Sequence, residues 1–379
     1  MLVNLHALRF IAALVVLAVH TAPHLWASGI PREGWLSSVE LFGFAGVDVF
    51  FVISGFIMWH TTHDDHGPGA AWHFLRRRAA RIYSGYWPML LLALLLWTIY
   101  HPEFIPQRDW WLSSSLMPNP AGSTMQINPG NLALPVAWTL IYEVYFYLAF
   151  GVFIAFRQRA ALWYVWAAFG LIVLAGIYAV SAGMYRLDRL SETSLFFTLY
   201  LSPFFAQYLL GCLIGELYRR RRIPSPTAWL LIGLGLFFLA GWINARWFDG
   251  LLLMGNLVPQ RVLLLSGAAC AVTLWALGLD QRGKQFMPTL CLTLGGSTYT
   301  LYLVHTLWLL WLYDIGVRDW LAQTGLTIPG YWLAAIIIVL AAAVYYQYVE
   351  RRLHHGFRRV LGVATAYKAA EPVNSGRES

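Results

Sequence analysis

Long runs of apolar residues, separated by short polar connectors, recur along the whole chain. About ten runs are long enough to cross a bilayer, because a transmembrane helix needs roughly 20 mainly apolar residues. The predicted spans cover residues 5–24, 43–60, 82–100, 134–156, 161–181, 195–218, 228–243, 260–279, 288–313 and 330–349. This pattern predicts an all-α fold, a polytopic membrane bundle of about ten transmembrane helices.

The connectors between these spans alternate in charge. Basic clusters lie at residues 76–81, 157–159, 219–222, 282–284 and 351–359. The intervening connectors hold only scattered arginines, which are Arg32, Arg108, Arg186, Arg189, Arg246 and Arg318. Cytoplasmic loops of membrane proteins are enriched in Lys and Arg. We therefore assign the basic clusters, and with them both chain termini, to the cytoplasm.

Composition agrees with a membrane protein. Of 379 residues, 59% are hydrophobic and 12% are charged, and the charged fraction is about half of that in soluble domains. The mean hydropathy is +0.58, and the 19 Trp and 20 Tyr residues are typical of chains with many membrane interfaces. The net charge of +8 comes from the basic clusters, so it indicates topology rather than nucleic-acid binding.

The pattern predicts one transmembrane domain, residues 1–360, and a polar tail, residues 361–379, that we expect to be disordered and cytoplasmic. The longest outer connector, His101 to Ala133, is either a lid or acceptor-binding loop, or a plain surface loop. The cysteines lie inside apolar runs, so we expect core packing and neither a disulfide nor a metal site. They are Cys212, Cys270 and Cys291.

The first span carries two ionisable residues. Arg9 and His20 bracket an unbroken apolar run, and the helical rise from one to the other is roughly 16 Å. The run suits a signal peptide, but no clear small-x-small cleavage site follows it. Another structural interpretation makes Arg9 an interfacial anchor and His20 a hydrogen-bonded core residue. Ionisable groups at this depth usually face a bundle interior or a cavity, so both are candidate site residues.

Three other titratable residues are predicted near the depth of His20. Glu143 lies in the fourth span, Asp48 near the start of the second, and His305 in the ninth. Helix rise and span direction place all four in the outer half of the membrane, so we expect them to converge. Each is also explained as a structural hydrogen-bonding residue, and for Asp48 and His305 that interpretation is preferred.

Arg78 and Arg81 lie three residues apart in the first inner connector, so on a helix they share one face. Guanidinium groups placed there would bind phosphate through bidentate hydrogen bonds. The alternative is a positive-inside cluster that contacts anionic lipid, which explains most such runs.

A polar cluster after the second span resembles a set of metal ligands: His60, His63, Asp64, Asp65 and His66. Adjacent polar residues at a helix exit usually form a solvated loop, so we predict no metal site. Ser54 is a candidate nucleophile, but its flanks are typical of close helix packing. Gly211 and Gly215 form a GxxxG pair that also indicates close packing.

Six motifs, in this order along the chain, resemble those of the acyltransferase-3 family of integral membrane acyltransferases. They are R-x10-H at Arg9 and His20, GVDVFFVISGF at 46–56, R-x-x-R at Arg78 and Arg81, AWTLIYEVYFY at 137–147, LGGSTYTLYLVH at 294–305 and YYQYVERR at 345–352. They span nearly everything from Leu5 to Arg352, and are most similar to the ExoZ-like exopolysaccharide branch. One departure is that Arg351 and Arg352 follow Glu350, where the family usually has proline after Glu-x.

The resemblance implies a bacterial inner-membrane enzyme that moves an acyl group, commonly acetyl, from cytoplasmic acyl-CoA to a hydroxyl of an extracytoplasmic glycan, such as exopolysaccharide or O-antigen. It makes Arg9 and His20 essential positions, and Arg78 with Arg81 an inner-face pair. The implied partners are membrane lipid, acyl-CoA and a glycan or lipid-linked saccharide acceptor.

The physical roles expected of these residues follow the same reaction. The inner arginines would bind the phosphates of the donor, acetyl-CoA in the simplest case. A neutral His20 would act as general base toward the acceptor hydroxyl. Glu143 would orient His20 or bind the acceptor, with Asp48 and His305 as supporting residues.

Two other function classes stay open from the sequence alone. A proton-coupled transporter would use His20, Glu143 and His305 as a proton relay. Transporters often contain internal repeats with paired broken helices, and none is visible here. A structural or polymer-assembly membrane protein would not need Arg9 and His20 at this depth.

The charge pattern predicts the topology directly. A reporter fused after Arg81, Arg222 or Arg359 should be cytoplasmic, because each site follows a basic cluster. A reporter fused within residues 101–133 should be extracytoplasmic. Paired alkaline phosphatase and green fluorescent protein fusions measure both locations, and a cytoplasmic signal from residues 101–133 would contradict the assignment.

Overall fold

The structure is a computed structural model that describes residues 2–27, 42–43, 45–117, 132–156, 161–184, 199–247, 258–287 and 294–363. Within these ranges it contains helices and no strands. The α-helices are α1 Val3–Ala27, α2 Ala45–Thr61, α3 Pro68–Tyr100, α4 Trp110–Ser115, α5 Trp138–Phe156, α6 Ala161–Ser181, α7 Phe204–Arg220, α8 Pro226–Trp247, α9 Val258–Asp280, α10 Thr298–Asp314, α11 Val317–Thr324, α12 Thr327–Tyr345 and α13 Arg351–Val360. Short 3₁₀ helices span Pro102–Gln107 and Pro135–Ala137, and a π-helical segment spans Tyr346–Glu350.

The long helices occupy the positions of the predicted spans, which confirms the all-α membrane bundle. Within the described residues, seven helices are long and apolar enough to cross a membrane, or eight if the bent pair α10 and α11 forms one span. Helices α2 and α7, at two further predicted spans, have 17 residues each. The number of spans and the cytoplasmic location of the termini stay predictions.

Helices α2 and α7 pack against each other through glycines. A Cβ atom on Gly55 would lie 1.8 Å from the carbonyl oxygen of Tyr208, and one on Gly211 would lie 2.0 Å from that of Val52. Gly215 faces an aromatic ring of α2. A side chain at Gly55 or Gly211 would collide with backbone, and one at Gly215 would press on the Trp59 side chain. The close packing predicted for Gly211 and Gly215 is therefore observed.

Helix α1 lies among α2, α9, α10 and α12 and contacts each of them. Its first turn is anchored by Asn4, whose backbone nitrogen and Nδ2 both lie 2.9 Å from Asp280 Oδ1 at the end of α9. A carboxylate near a helix N-terminus is stabilised by the free backbone N–H groups and the helix dipole. This contact ties the start of α1 to α9.

The C-terminal ends of α3 and α10 are joined by a polar contact. His101, directly after α3, lies with Nε2 2.9 Å from Oδ1 of Asp314, the last residue of α10. The hydrogen bond to this carboxylate raises the pKa of His101 above its ordinary value. Positive charge on a histidine is also favoured beside a helix C-terminus.

The described part of the connector after α3 turns back along that helix. Backbone carbonyls of residues 113–115 accept hydrogen bonds from Tyr83, Tyr86 and Trp87 in the middle of α3. Leu112 and Leu116 of this segment are buried. Residues 118–131 lie outside the described ranges, so the choice between a lid and a plain loop stays open for them.

Other sequence predictions also concern residues outside the described ranges. These are Arg32, the basic residues 157–159, Arg186, Arg189, Cys291 and the tail from residue 364 onward. The other two cysteines follow the expectation of core packing, because Cys212 is buried and Cys270 is partly buried within helices.

Asp48, near the start of α2, is fully buried and forms an ion pair that the sequence analysis did not predict. Its partner is Arg261 of α9, also fully buried, whose Nη2 lies 2.6 Å from Asp48 Oδ2. Gln207 of α7 donates to the other carboxylate oxygen at 2.7 Å. Buried charges need such partners because removing each ion from water is costly. The pair therefore links α2, α7 and α9.

Breaking this pair should destabilise the bundle. Asp48→Asn and Arg261→Gln should each lower the free energy of unfolding by about 3–5 kcal/mol, because each leaves a buried charge without its counter-charge. The double variant should lose less than the sum of the two. Denaturant unfolding of purified protein in detergent measures these values. Arg318→Gln, which breaks the pair with the exposed Asp319, is the control, and additive losses at Asp48 and Arg261 would contradict the coupling.

Candidate active site

An internal cavity of about 150 Å³ lies among α1, α2, α3, α5 and α10. Its walls are mainly apolar, but three arginines and one carboxylate line it, namely Arg9, Arg78, Arg81 and Glu143. A cavity with low-dielectric walls and one predominant sign of charge concentrates ligands of the opposite sign. The cavity is therefore suited to an anionic ligand.

Arg9 and His20 lie on one face of α1. At about 100° per residue, eleven residues bring the helix back to within roughly 20° of its starting direction and raise it by roughly 16 Å. Arg9 lines the cavity, and its side chain makes no hydrogen bond or ion pair with any described residue. The R-x10-H spacing thus places a cation and a potential base along the same side of the helix.

Arg78 and Arg81 lie one turn apart on α3, and both line the cavity, as their shared helix face predicts. The Nη1 atom of Arg81 lies 2.8 Å from Oε1 of Glu350, and its guanidinium carbon lies 5.0 Å from the ring centroid of Tyr299. The guanidinium carbon of Arg78 lies 5.6 Å from the ring centroid of Tyr147. Arg81 therefore has a carboxylate partner, whereas Arg78 is held by aromatic contact.

Glu143 faces the cavity from α5. Its Oε1 accepts a hydrogen bond from the hydroxyl of Tyr147, one turn further along the helix, and lies 3.4 Å from Ser54 Oγ on α2. Ser54 thus lines the cavity, while its neighbour Gly55 makes the close helix contact that the sequence indicated. The hydrogen bonds and the shared cavity supply the partners that a carboxylate in an apolar bundle needs.

His20 and His305 form a contacting pair between α1 and α10. The Nδ1 atom of His20 lies 3.3 Å from the Nε2 atom of His305, and the ring centroids are 4.9 Å apart. Each ring also has its Nδ1 near the carbonyl oxygen four residues earlier, at 2.8 Å from Val16 and 3.1 Å from Leu301. The two imidazoles are thus oriented by their own helices and by each other.

These contacts assign the tautomer of both rings. A carbonyl oxygen only accepts hydrogen bonds, so the ring proton of each neutral histidine lies on Nδ1. The Nε2 atom of His305 then accepts from His20 Nδ1–H, which is shared with the carbonyl of Val16. The lone pair of neutral His20 is consequently on Nε2, the atom that would take up a proton.

Tyr302 separates the histidine pair from the cavity. Its ring lines the cavity, its hydroxyl lies 2.8 Å from Thr139 Oγ1, and its ring centroid lies 5.8 Å from that of His305. Neither His20 nor His305 is among the described residues that line the cavity. The candidate site therefore has two parts, a cationic cavity and a histidine pair, which adjoin at Tyr302.

The four titratable residues that we expected to converge are divided among three places. His20 contacts His305, Glu143 faces the cationic cavity, and Asp48 pairs with Arg261. The expected cluster of four is therefore corrected to one contacting pair. The physical reason is that a buried carboxylate is stabilised by a nearby cation. Asp48 lies beside Arg261, whereas Glu143 lies in the cavity that is lined by three arginines.

Three residues of this region were not predicted from the sequence: Arg261, Tyr302 and Glu350. A signal did exist for the two charged ones, since Arg261 lies at the start of the eighth apolar run and Glu350 directly after the tenth. Charged residues inside or beside membrane spans are functional or paired by default. The connector charges alone assign no role to Arg261 or to Glu350.

The polar cluster after α2 is engaged in local ion pairs. The Nε2 atom of His63 lies 2.7 Å from Asp64 Oδ2, and Asp65 pairs with Arg77 at 3.3 Å. Among the described residues, no group of three or more His, Cys, Asp or Glu side chains is arranged so that it could hold a metal ion.

The chain matches the model of one protein family and is similar to two known proteins. The sequence model of the family described as "Acyltransferase domain" (Acyl_transf_3) matches residues 2–347. The exopolysaccharide production protein ExoZ of Rhizobium meliloti (strain 1021) is 28% identical over 339 residues, which cover 87% of this chain and 95% of ExoZ. The acyltransferase MdmB of Streptomyces mycarofaciens is 26% identical over 236 residues, 57% of each chain. No solved structure matches the chain significantly.

Proposed function

Because this chain belongs to the acyltransferase family whose model it matches from residue 2 to residue 347, we propose that it moves an acyl group from cytoplasmic acyl-CoA to a hydroxyl of an extracytoplasmic glycan. Acetyl is the acyl group that we propose. The enzyme acts in the bacterial inner membrane, with the donor entering from the basic face and the acceptor from the opposite face.

The observation that carries this proposal is the convergence of three arginines on a cavity inside the helix bundle. A positive-inside cluster that only contacts anionic lipid would have its guanidinium groups at the membrane surface. These three face inward, and Arg9 and Arg78 make no ion pair with any described carboxylate. Coenzyme A carries several phosphate charges, which suit such a cavity.

The donor is bound along α1. Arg78 and Arg81 hold the phosphates by charge-assisted hydrogen bonds, and the thin pantetheine arm runs along the helix face toward His20. The helical rise from Arg9 to His20 is roughly 16 Å, and Arg9 lines the cationic cavity whereas His20 does not. Arg9 therefore binds the donor, while His20 serves the reacting atoms.

The transfer step is a general-base reaction. His20 Nε2 takes the proton of the acceptor hydroxyl as the hydroxyl oxygen attacks the thioester carbonyl carbon. The tetrahedral intermediate then breaks its C–S bond, and the proton on His20 passes to the departing sulfur. The products are the glycan ester, free coenzyme A and neutral His20, so the step needs no other reactant.

We assign His305 and Glu143 supporting roles. The contact of 3.3 Å between the rings supports a role for His305 in orienting His20. Glu143 bonds to Tyr147 and Ser54 rather than to a histidine, so we assign it to the donor cavity. Asp48 supports the fold through Arg261.

The acceptor that we propose is the repeating unit of an exopolysaccharide, either free or linked to a lipid. This assignment follows the name of ExoZ, an exopolysaccharide production protein that aligns over 95% of its own length. Mass spectrometry of surface polysaccharide from strains with and without the gene identifies the ester and its carrier sugar.

The donor assignment is tested by exchanging both inner arginines. Arg78→Gln with Arg81→Gln should weaken binding of coenzyme A about tenfold or more, since hydrogen bonds to charged groups contribute about 1.5–3 kcal/mol each. The salt dependence of binding should also become shallower. Isothermal titration calorimetry in nanodiscs measures both quantities.

The matched control for that experiment is Arg351→Gln with Arg352→Gln, which removes two exposed arginines of α13. This control should bind coenzyme A as the wild type does. An unchanged affinity in the Arg78 and Arg81 variant would mean that the pair serves topology alone.

The general-base assignment is tested at His20. His20→Gln should lower the rate of acyl transfer at saturating donor about 100-fold or more, within the range typical of lost acid–base catalysis. Donor affinity should be retained, because the arginines lie elsewhere along α1. The wild-type rate should rise with pH as His20 loses its proton, and this dependence should vanish in His20→Gln.

Two further variants separate the proposed roles. His305→Gln should cause a smaller loss in rate, because it removes the residue that orients the base and not the base itself. Glu143→Gln should mainly change the donor KM. Transfer to the native acceptor by folded variants in nanodiscs is the measurement. Near-wild-type turnover by His20→Gln would refute the mechanism and leave the family assignment intact.

A further inference from the structure

A buried carboxylate lies behind the donor cavity, at the end of a helix that the proposed mechanism does not use. Helix α12 continues into the π-helical segment Tyr346–Glu350 before α13 begins. Glu350, the last residue of that segment, has an exposed fraction of only 1%. Short π-helical segments inside α-helices occur frequently at functional sites. An isolated carboxylate in this position would be strongly destabilising, so its partners are informative.

Both oxygens of Glu350 are engaged. Oε1 lies 2.8 Å from Arg81 Nη1, and Oε2 accepts a hydrogen bond from the hydroxyl of Thr300. The side chain of Arg81 is 30% exposed and lines the cavity. The carboxylate thus approaches Arg81 from the protein side and leaves the rest of the guanidinium group facing the cavity.

The approach of this carboxylate to α3 depends on a glycine. A Cβ atom on Gly85, one turn after Arg81, would lie 2.5 Å from the ring of Tyr299 and 3.6 Å from the carboxyl carbon of Glu350. The Tyr299 ring in turn packs 5.0 Å from the guanidinium carbon of Arg81. The absence of a side chain at position 85 therefore lets a ring and a carboxylate hold Arg81 from two sides.

Arg78 differs from Arg81 in this respect. Among the described residues it forms no ion pair, and its hydrogen bond to Thr61 Oγ1 is long, at 3.4 Å. Its Nε is buried and has no hydrogen-bond partner, while its guanidinium carbon lies 5.4 Å from the ring centroid of Phe74. The positive charge of Arg78 is therefore available to a ligand, whereas that of Arg81 is already balanced.

We propose that Glu350 is a positioning residue of the donor site, which balances the charge of Arg81 and directs its guanidinium group, so that Arg78 and Arg9 take the phosphate charge of the donor. The inference rests on the proposed function, since it presumes acyl-CoA as the donor. Arg81 still donates hydrogen bonds to the phosphates, but its positive charge adds less to the attraction because Glu350 offsets that charge.

This arrangement has a consequence for turnover. The acyl donor and the product coenzyme A carry the same phosphates, so attraction to phosphate binds both equally and does not favour the transition state. A donor site with three unbalanced arginines would bind the product more tightly, and its slow release would limit the rate. Glu350 keeps the attraction moderate, which permits coenzyme A to leave.

The test is Glu350→Gln, which keeps the size of the side chain and an oxygen acceptor for Arg81 but removes the charge. We expect coenzyme A to bind about five-fold more tightly, with a steeper salt dependence. We also expect a lower kcat together with stronger product inhibition. A residue with only a structural role would lower stability and activity without tightening the binding of coenzyme A. Isothermal titration calorimetry with coenzyme A at low and at high salt gives the affinities, and steady-state transfer gives kcat.

Two control variants keep this test specific. Glu216→Gln removes a carboxylate that pairs with Arg219 and Arg220 at the end of α7, and it should leave the affinity for coenzyme A unchanged. Thr300→Val removes the neutral partner of Glu350 and should change the affinity much less than Glu350→Gln does.

A double variant shows whether Glu350 acts through Arg81. In an Arg81→Gln background, Glu350→Gln should no longer tighten binding, because the charge that it would release is absent. If Glu350→Gln does not fold, Glu350→Asp replaces it. This variant keeps the charge but shortens the side chain, so it should retain wild-type affinity for coenzyme A and lower kcat.

The outcomes distinguish this inference from the proposed function. If the wild type binds coenzyme A and Glu350→Gln binds it equally or more weakly, the role of Glu350 is overturned and the donor assignment stands. An affinity for coenzyme A in Glu350→Asp as high as that expected of Glu350→Gln would also overturn it. If the wild type itself does not bind coenzyme A, the proposed function fails, and this inference fails with it.

Discussion

The cost of burying charge in an apolar helix bundle governs the arrangement of this protein. Each ionised side chain inside the bundle must be paired, hydrogen-bonded or turned toward a cavity. Asp48 satisfies this demand through Arg261, and Glu350 through Arg81. Arg9 and Arg78 form no ion pair with a described residue, and both face the same cavity. The positions of the unbalanced cations therefore mark the place where the protein has room for an anionic ligand.

Close helix packing holds that arrangement in place. The glycines of α2 and α7 bring two 17-residue helices into backbone contact, and this contact supports the face of α2 that carries Ser54. Gly85 plays a comparable part on α3, where it admits the Tyr299 ring and the Glu350 carboxylate beside Arg81. In a membrane, helix association relies on such close contact because lipid is as apolar as the side chains. Close helix packing therefore makes the charge compensation at Arg81 possible.

The geometry of α1 connects the two halves of the candidate site. Because eleven residues complete slightly more than three full turns, Arg9 and His20 project from one face at separate depths. Arg9 lines the cavity and His20 contacts His305, and Tyr302 lies between the cavity and the histidine pair. A donor that is long and thin, anionic at one end and reactive at the other, matches this separation. The contacts of His20 Nδ1 also place the lone pair of its neutral ring on Nε2, which the spacing of the motif does not reveal.

The sequence by itself determined the helix bundle, the positions of its long helices and the family, because apolar run length and ordered motifs are local properties of the chain. It also placed Arg78 and Arg81 on one helix face, since periodicity decides that. Only the tertiary structure decided which charges meet. Glu350 lies 269 residues from Arg81, and Arg261 lies 213 residues from Asp48. The depth of a residue along its helix was predictable from the sequence. The rotation of each helix about its axis and the choice of neighbouring helix depend on packing. Packing therefore separated Asp48 and Glu143 from the histidines.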